Sequence, residues 1–341
     1  MEIYKMNTRF VVAGFRHGHI FGLLNRIDET PNCKIAACCE AHAETREKLN
    51  AEGKFTVNYE DFDKMLKEVD CDVVVIGDYY GARGNLMIKS LEAGKHVIAD
   101  KPICTSLKEL DKIEKLAAEK NLKVGCMLDL RQSPQLVKLR QLIQEDILGE
   151  IHAISFTGQH PLLWGTRPGW YFEEGKHGGT INDIAIHGID YLSWATGMKF
   201  TEVTAASTWN AFADQCSIFN DAGQFMAKME NGCGVIADVS YFAPDSCGYS
   251  LPYYWEFTVW GKKGVARTNI AAESIKLSLN GDKGTSCLAL PAKVQDDYFT
   301  QFLNDIAGTP GEMTSATVIE AARTTLKIQQ AADEKEAYVA L

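Results

Sequence analysis

Residues 9–27 read RFVVAGFRHGHIFGLLNRI. An apolar, β-branched run ends at Gly14, and from His19 to Ile27 the apolar residues recur at helical spacing. A strand that stops at a glycine and hands over to an amphipathic helix is the opening of a βαβ unit. The alternation continues. KIAACCE (34–40), CDVVVIGD (71–78), HVIAD (96–100) and KVGCML (123–128) read as strands, and AETREKLNAEG (43–53), FDKMLKEV (62–69), RGNLMIKSLEAG (83–94) and SLKELDKIEKLAAEKN (106–121) as helices. This pattern predicts a Rossmann-type, doubly wound parallel sheet, whose ligands sit beyond the carboxyl ends of its strands.

Past residue 128 the pattern changes to longer alternating runs: EIHAISFTGQ, FTEVTAASTWN, QFMAKME, CGVIADVSYF, YYWEFTVWG, GVARTNIA and SIKLSLNG. Two helical segments close the chain, DDYFTQFLNDIAG and SATVIEAARTTLKIQQAAD. The reading is an α/β protein with a dinucleotide-binding Rossmann domain over 1–128. An α+β domain for substrate binding and oligomerisation follows over 129–341, built on an open, mostly antiparallel sheet. No low-complexity linker separates them, which predicts a shared cleft in place of a flexible tether.

Composition narrows the function classes. With 46% hydrophobic and 23% charged residues the 341-residue chain is ordinary globular material. A net charge of -10 argues against a nucleic-acid partner, which calls for clustered Lys and Arg. No apolar run approaches the roughly 20 residues of a membrane span, and the apolar run after Arg9 is too short for a signal sequence, so no membrane partner and a cytoplasmic location are expected. The ten cysteines are scattered without a CxxC, which predicts free, mostly buried thiols and no metal.

The strand ends carry the candidate ligand groups. In AGFRHGH, Gly14 and Gly18 are present but a full GxGxxG is not, since Phe15, Arg16 and His17 intervene. Glu40 closes the second strand at about the spacing where an acid accepts from both ribose hydroxyls, which favours NAD over NADP. Arg16 is placed at the pyrophosphate. With Gly14, Phe15, His17, Gly18 and Glu40, the strand-end residues Asp78 and Lys101 complete the expected cofactor lining.

Two later blocks are more specific. LEAGKHVIADKP (91–102) resembles the aGKHVlcEKP signature of the glucose-fructose oxidoreductase, inositol dehydrogenase and rhizopine-catabolism (Gfo/Idh/MocA) oxidoreductases, with Asp100 in place of the usual glutamate. GGTINDIAIHGID (178–190) is similar to that family's GGGxlxDxgxHxiD, and YYWEFTVWGKKGVARTN to a strand and turn of its C-terminal sheet. The resemblance implies a Rossmann domain followed by an α/β domain whose open sheet often forms an oligomer interface, so a homo-oligomer, dimer or tetramer, is expected. One departure stands out: GDYYGARG replaces the family's TPnxxH, with Arg83 where a histidine commonly sits.

Asp183 and His187, at i and i+4, are expected on one helical face. Oxidising a secondary alcohol sends a hydride to nicotinamide and the hydroxyl proton to a base, a task suited to histidine near neutral pH. His187 is the candidate base. Lys101 would stabilise the developing alkoxide and Asp183 would orient substrate or imidazole, and the resemblance assigns the same three positions. Trp164, Arg167, Trp170, Tyr171 and His177, in the loop before that helix, suit a sugar or polyol, offering aromatic faces and hydroxyl donors. Arg131, beside Asp129, forms a second possible substrate edge, and Asp190 is expected to cap or pair within its helix. The leading expectation is an NAD-dependent dehydrogenase of a sugar, glycoside or cyclitol hydroxyl. The alternatives are a glycoside-cleaving enzyme that oxidises transiently before elimination, and a non-catalytic cofactor-binding regulator.

Overall fold

The computed structural model describes residues 7–251, 253–292, 294 and 296–341. It divides into two compact units. The first holds the described residues of Met1–Met127, Glu173–Gly178 and Tyr298–Ile319; the second holds those of Leu128–Phe172, Gly179–Asp297 and Glu320–Leu341. The division near residue 128 is therefore crossed again by the chain, which returns twice to the first unit.

In the first unit, β1 (Thr8–Ala13), α1 (Ile20–Glu29), β2 (Cys33–Cys39), α2 (Ala43–Glu52), α3 (Phe62–Glu68), β3 (Val73–Ile76), α4 (Tyr80–Glu92), β4 (His96–Ala99), α5 (Leu107–Lys120) and β5 (Val124–Cys126) alternate as expected. All five strands are parallel, in the order β2-β1-β3-β4-β5. The central strands are apolar throughout because helices cover both faces: every residue of β3 is fully buried. Local chemistry ends the helices cleanly. Gly53 and Asn121 take left-handed conformations after α2 and α5, and Asp61 and Ser106 cap α3 and α5. The helix Tyr298–Ile306 packs here too, Phe299 against Phe10 and Phe302 over Gly125.

The second unit contains α6 (Pro134–Gln144), β6 (Ile151–Pro161), α7 (Ile186–Thr196), β7 (Phe200–Trp209), β8 (Ala222–Met229), β9 (Gly234–Ala243), β10 (Glu256–Gly261), β11 (Gly264–Asn269), β12 (Ser274–Leu279), β13 (Ser286–Ala289) and β14 (Val339–Ala340). Between β13 and β14 run the helices α8 (Tyr298–Ile306) and α9 (Ser315–Glu334). The nine strands form one sheet, ordered β13-β12-β11-β10-β6-β9-β8-β7-β14, antiparallel except where β6 and β9 run together. One face is apolar. Phe156, Phe225, Phe257 and Val239 point inward at alternate positions, and burying each such side chain contributes about 1.5–3 kcal/mol. This face receives α7: Tyr191 meets the Phe257 ring at 4.8 Å, and a Cβ on Gly188 would lie 2.4 Å from the Phe156 ring. Met226 and Ile236, paired across β8 and β9, and Trp260 on β10 are exposed on the other face. Among the described residues no helix is long and apolar enough to cross a membrane, and the ten cysteines are thiols outside any disulfide.

Candidate functional site

In the first unit the site begins at the turn from β1 to α1. Gly14 has φ +84°, and a Cβ there would lie 2.5 Å from the Cβ of Asp78 at the end of β3. Only glycine combines that conformation with that approach. Glu40, 1% exposed, accepts from the Phe15 N–H at 2.7 Å and the His42 N–H at 2.8 Å. The acid expected at the ribose thus also clamps the glycine turn. The Phe15 side chain packs against Phe21 and Phe55, Arg16 is half-buried, Gly18 is exposed, and the His17 N–H donates to Gly77 O at 3.1 Å. Burial pushes the Asp78 carboxyl up to about 6, against the opposing Tyr79 N–H and with Glu40 adding to the rise.

At the end of β4, Asp100 is a fully buried junction. Arg83, 0% exposed, donates from Nε to Asp78 O at 2.8 Å, from Nη1 to the carbonyls of Asp100, Lys101 and Pro102, and from Nη2 to Asp100 Oδ2 at 3.1 Å. The same carboxylate oxygen meets His17 Nδ1, whose Nε2 lies 3.2 Å from the Tyr80 hydroxyl, and Asp100 Oδ1 is 3.4 Å from His19 Nδ1. Burial works to raise the Asp100 carboxyl, but His17 and Arg83 outweigh it and hold it well below the usual carboxylate range. Burial pushes the His17 imidazole down to about 4 against the pull of Asp100. A neutral His17 then donates from Nδ1 to Asp100 and accepts the Tyr80 proton at Nε2, a tautomer inferred from its partners.

His17, His19 and Asp100 bring potential metal-ligating atoms within 4.8 Å of one another. Arg83 already places its charge on that carboxylate and both His17 nitrogens have partners, so the arrangement suits a hydrogen-bonded chain better than a cation. Lys101, 2% exposed, has its ammonium 6.0 Å from the Tyr80 ring, and the His177 ring lies 5.5 Å from that of Tyr80 by centroid. His177, expected as a substrate residue of the loop, therefore packs in the first unit. So does its neighbour Lys176, whose carbonyl accepts from the Gly81 N–H.

In the second unit the expected continuous helix is divided. Ile181–Ala185 form a wider π turn and α7 starts at Ile186. Gln329 of α9 accounts for the entry: its Oε1 accepts from the N–H groups of Ile181 and Asn182, and Gly179, at φ +97°, leaves room for its amide. Asp183 lies in the π turn and His187 in the α-helix, so simple i,i+4 geometry does not join them. Asp183, 1% exposed, accepts from the Tyr241 hydroxyl. Burial, with the Asp183 charge adding, raises Tyr241 well above its ordinary value and keeps it a proton donor. His187 Nδ1 instead lies 3.5 Å from Asp129 Oδ1, and its ring meets Trp255 edge-on at 5.4 Å.

Several loop residues differ from expectation. Arg131 is 3% exposed and grips both oxygens of Asp190, with its guanidinium 5.6 Å from the Trp194 ring. Asp190 accordingly pairs outside its own helix. Trp170 is 1% exposed and stacks on Tyr171 at 4.1 Å. Arg167 donates to the carbonyls of Pro161 and Leu162 and sits over the Tyr171 and Tyr241 rings at 4.6 and 5.0 Å. Trp164 is exposed beside Phe172. No motif in the sequence marks Tyr80, Tyr241 or Trp255. Alternation along β9 carries Tyr241 inward, but nothing local announces its carboxylate partner.

Such a glycine turn, with an acid at the end of the second strand, defines a dinucleotide-binding oxidoreductase fold. Comparison with known proteins agrees. Residues 8–127 match the model "Oxidoreductase family, NAD-binding Rossmann fold", and residues 136–267 match the "GFO/IDH/MocA C-terminal domain". The chain belongs to the Gfo/Idh/MocA oxidoreductase family, and NAD is the cofactor of its Rossmann domain. It is 29% identical over 177 residues to levoglucosan dehydrogenase of Pseudarthrobacter phenanthrenivorans, a match spanning 49% of this chain and 45% of that enzyme. Over 293 residues it is 23% identical to inositol 2-dehydrogenase/D-chiro-inositol 3-dehydrogenase of Lactiplantibacillus plantarum, covering 83% of this chain and 79% of that one. A Thermotoga maritima protein solved as a candidate oxidoreductase shares the fold, with a TM-score of 0.83 at 24% identity over 97% of this chain and 100% of that one.

Proposed function

We propose that the chain is an NAD-dependent dehydrogenase acting on a secondary hydroxyl of a sugar, glycoside or cyclitol. The observation that carries this reading is the pairing within the second unit, where a buried imidazole, His187, has a carboxylate at Nδ1 and an indole against its ring. A negative charge beside one imidazole nitrogen favours the proton there and leaves the other nitrogen as a base. The named relatives, dehydrogenases of levoglucosan and inositols, support the substrate class.

The Gly14 turn fits a pyrophosphate, since a side chain there would fill the space beside Asp78. Bound NAD supplies the hydride acceptor. His187 takes the hydroxyl proton and Lys101 steadies the charge on the oxygen; Arg83 fixes the lysine by holding its carbonyl. Asp183, which accepts from the Tyr241 hydroxyl, orients the substrate. Trp164 and Arg167 offer aromatic and cationic surface to the sugar, with Tyr171 buried beneath Arg167. The protein works as a homo-oligomer, for which light scattering is the measurement.

The test is an absorbance screen of NAD reduction against a panel of sugars and cyclitols, repeated with Lys101→Ala and His187→Ala. Both variants should keep NAD affinity and lose turnover by about 100-fold or more. Near-normal turnover in His187→Ala would remove it as the base.

A further inference from the structure

We infer that Asp129 is the positioning residue of His187, fixing which imidazole nitrogen carries the proton. The inference deepens the dehydrogenase reading and rests on it for its catalytic meaning. Asp129 opens the short helical turn Leu130–Gln132. That turn is anchored to α7 by a buried clamp, because Arg131 grips Asp190, three residues beyond His187 and therefore on nearly the same side of the helix. Leu130, also buried, adds an apolar anchor. The turn is fixed at the two residues after Asp129, whose Oδ1 lies 3.5 Å from His187 Nδ1, an ionic contact just outside hydrogen-bond geometry that sets a carboxylate charge beside that nitrogen.

A carboxylate at Nδ1 favours the tautomer that carries its proton there, which leaves the Nε2 lone pair to receive a proton from substrate. Asp183 accepts from the Tyr241 hydroxyl, whereas Asp129 is the carboxylate beside His187 Nδ1. Trp255, against the imidazole edge, opposes rotation of the ring. The arrangement is an aspartate–histidine dyad assembled across 58 residues of sequence.

Asp129 is two-thirds exposed, so the pair is solvated and its loss is modest: in Asp129→Asn, kcat should fall about five- to tenfold with KM nearly unchanged. Asp129→Glu, which restores the charge, should recover part of the loss. The decisive readout is independent of activity. In protein carrying 15N-histidine, the His187 resonances, assigned with His187→Asn, should show the Nδ1–H tautomer in the wild type and a shift toward Nε2–H in Asp129→Asn. An unchanged tautomer overturns the inference, as does a rise in KM alone, which would make Asp129 a substrate contact. If the tautomer shifts while no polyol reduces NAD in the wild type, the assignment of Asp129 stands and the dehydrogenase reading falls.

Discussion

Replacing Arg83 with methionine should destabilise the Rossmann unit severely. The guanidinium is fully buried, and its donors serve Asp78, Asp100, Lys101 and Pro102 as well as the Asp100 carboxylate. Methionine matches its length without its charge. Removing one partner of a buried ion pair costs about 3–5 kcal/mol, because the other charge stays behind without compensation. Here the stranded carboxylate is Asp100, 0% exposed. The carbonyls that lose their donor add to the cost, while protonation of Asp100 limits it. Since total stabilities run to about 5–15 kcal/mol, the loss is a large fraction. For a unit of this size each kcal/mol corresponds to about 2–4 °C, so the melting temperature should fall by about 6–20 °C.

Calorimetry and urea unfolding of Arg83→Met, Asp100→Asn and the double variant measure this directly. The double variant should lose less than the two single losses added together, because removing both charges leaves neither uncompensated. Arg83→Lys keeps a charge but loses the planar fork that reaches several carbonyls at once, and should fall in between. If Arg83→Met melts within about 2 °C of wild type, or the two losses simply add, the buried junction is not what holds this strand end.

Two further outcomes follow from the same unit. His17 is pushed by burial from 6.5 down to about 4, so between those values the unfolded chain takes up a proton that the folded one refuses, and stability falls as pH drops through that window. From pH 7 to 5 this amounts to about 2 kcal/mol, and urea unfolding should show the slope flattened in His17→Gln; an equal slope in both proteins refutes the assignment. Asp100, held low, contributes stability that is present above about 3.9 and lost only as pH falls further. Calorimetric titration should find NAD bound more tightly than NADP, and Glu40→Ala should both narrow the gap and weaken NAD itself, because the carboxylate also fixes the Phe15 and His42 amides; a wild type that prefers NADP would be inconsistent with its place at the ribose.

The elements most legible in the sequence are those whose pattern is local. The five parallel strands and their helices follow from alternating apolar runs, and β6 through β12 from period-two alternation. Less legible are α6, although Ser133 and Pro134 mark its start, and the edge strands β13 and β14. The latter are short and mostly exposed, so a neighbouring strand, more than their own side chains, decides their structure. The chain's two returns to the Rossmann unit have no compositional signature: the first docks through a backbone hydrogen bond from Gly81 to Lys176, and the second through ordinary apolar contacts such as Phe299 on Phe10.

The site divides along the same line. The family-like motifs single out Asp183, His187 and Lys101 as candidates, but helical spacing joins Asp183 to His187 through an ideal helix that the chain does not form. The Gln329 amide, reaching the N–H groups of Ile181 and Asn182 from far along the chain, accompanies the π turn that separates them. Asp183 then pairs with Tyr241, and His187 faces Asp129. Arg131 and Asp190 likewise read as separate polar residues until the fold closes them into one buried pair. A buried charge must find a partner wherever the fold supplies one. In this chain those partners lie tens of residues away: 17 residues separate Arg83 from Asp100, 58 separate Asp183 from Tyr241 and 59 separate Arg131 from Asp190. Motifs therefore identify which residues carry charge into the interior, while the role of each depends on the partner that the tertiary structure brings to it.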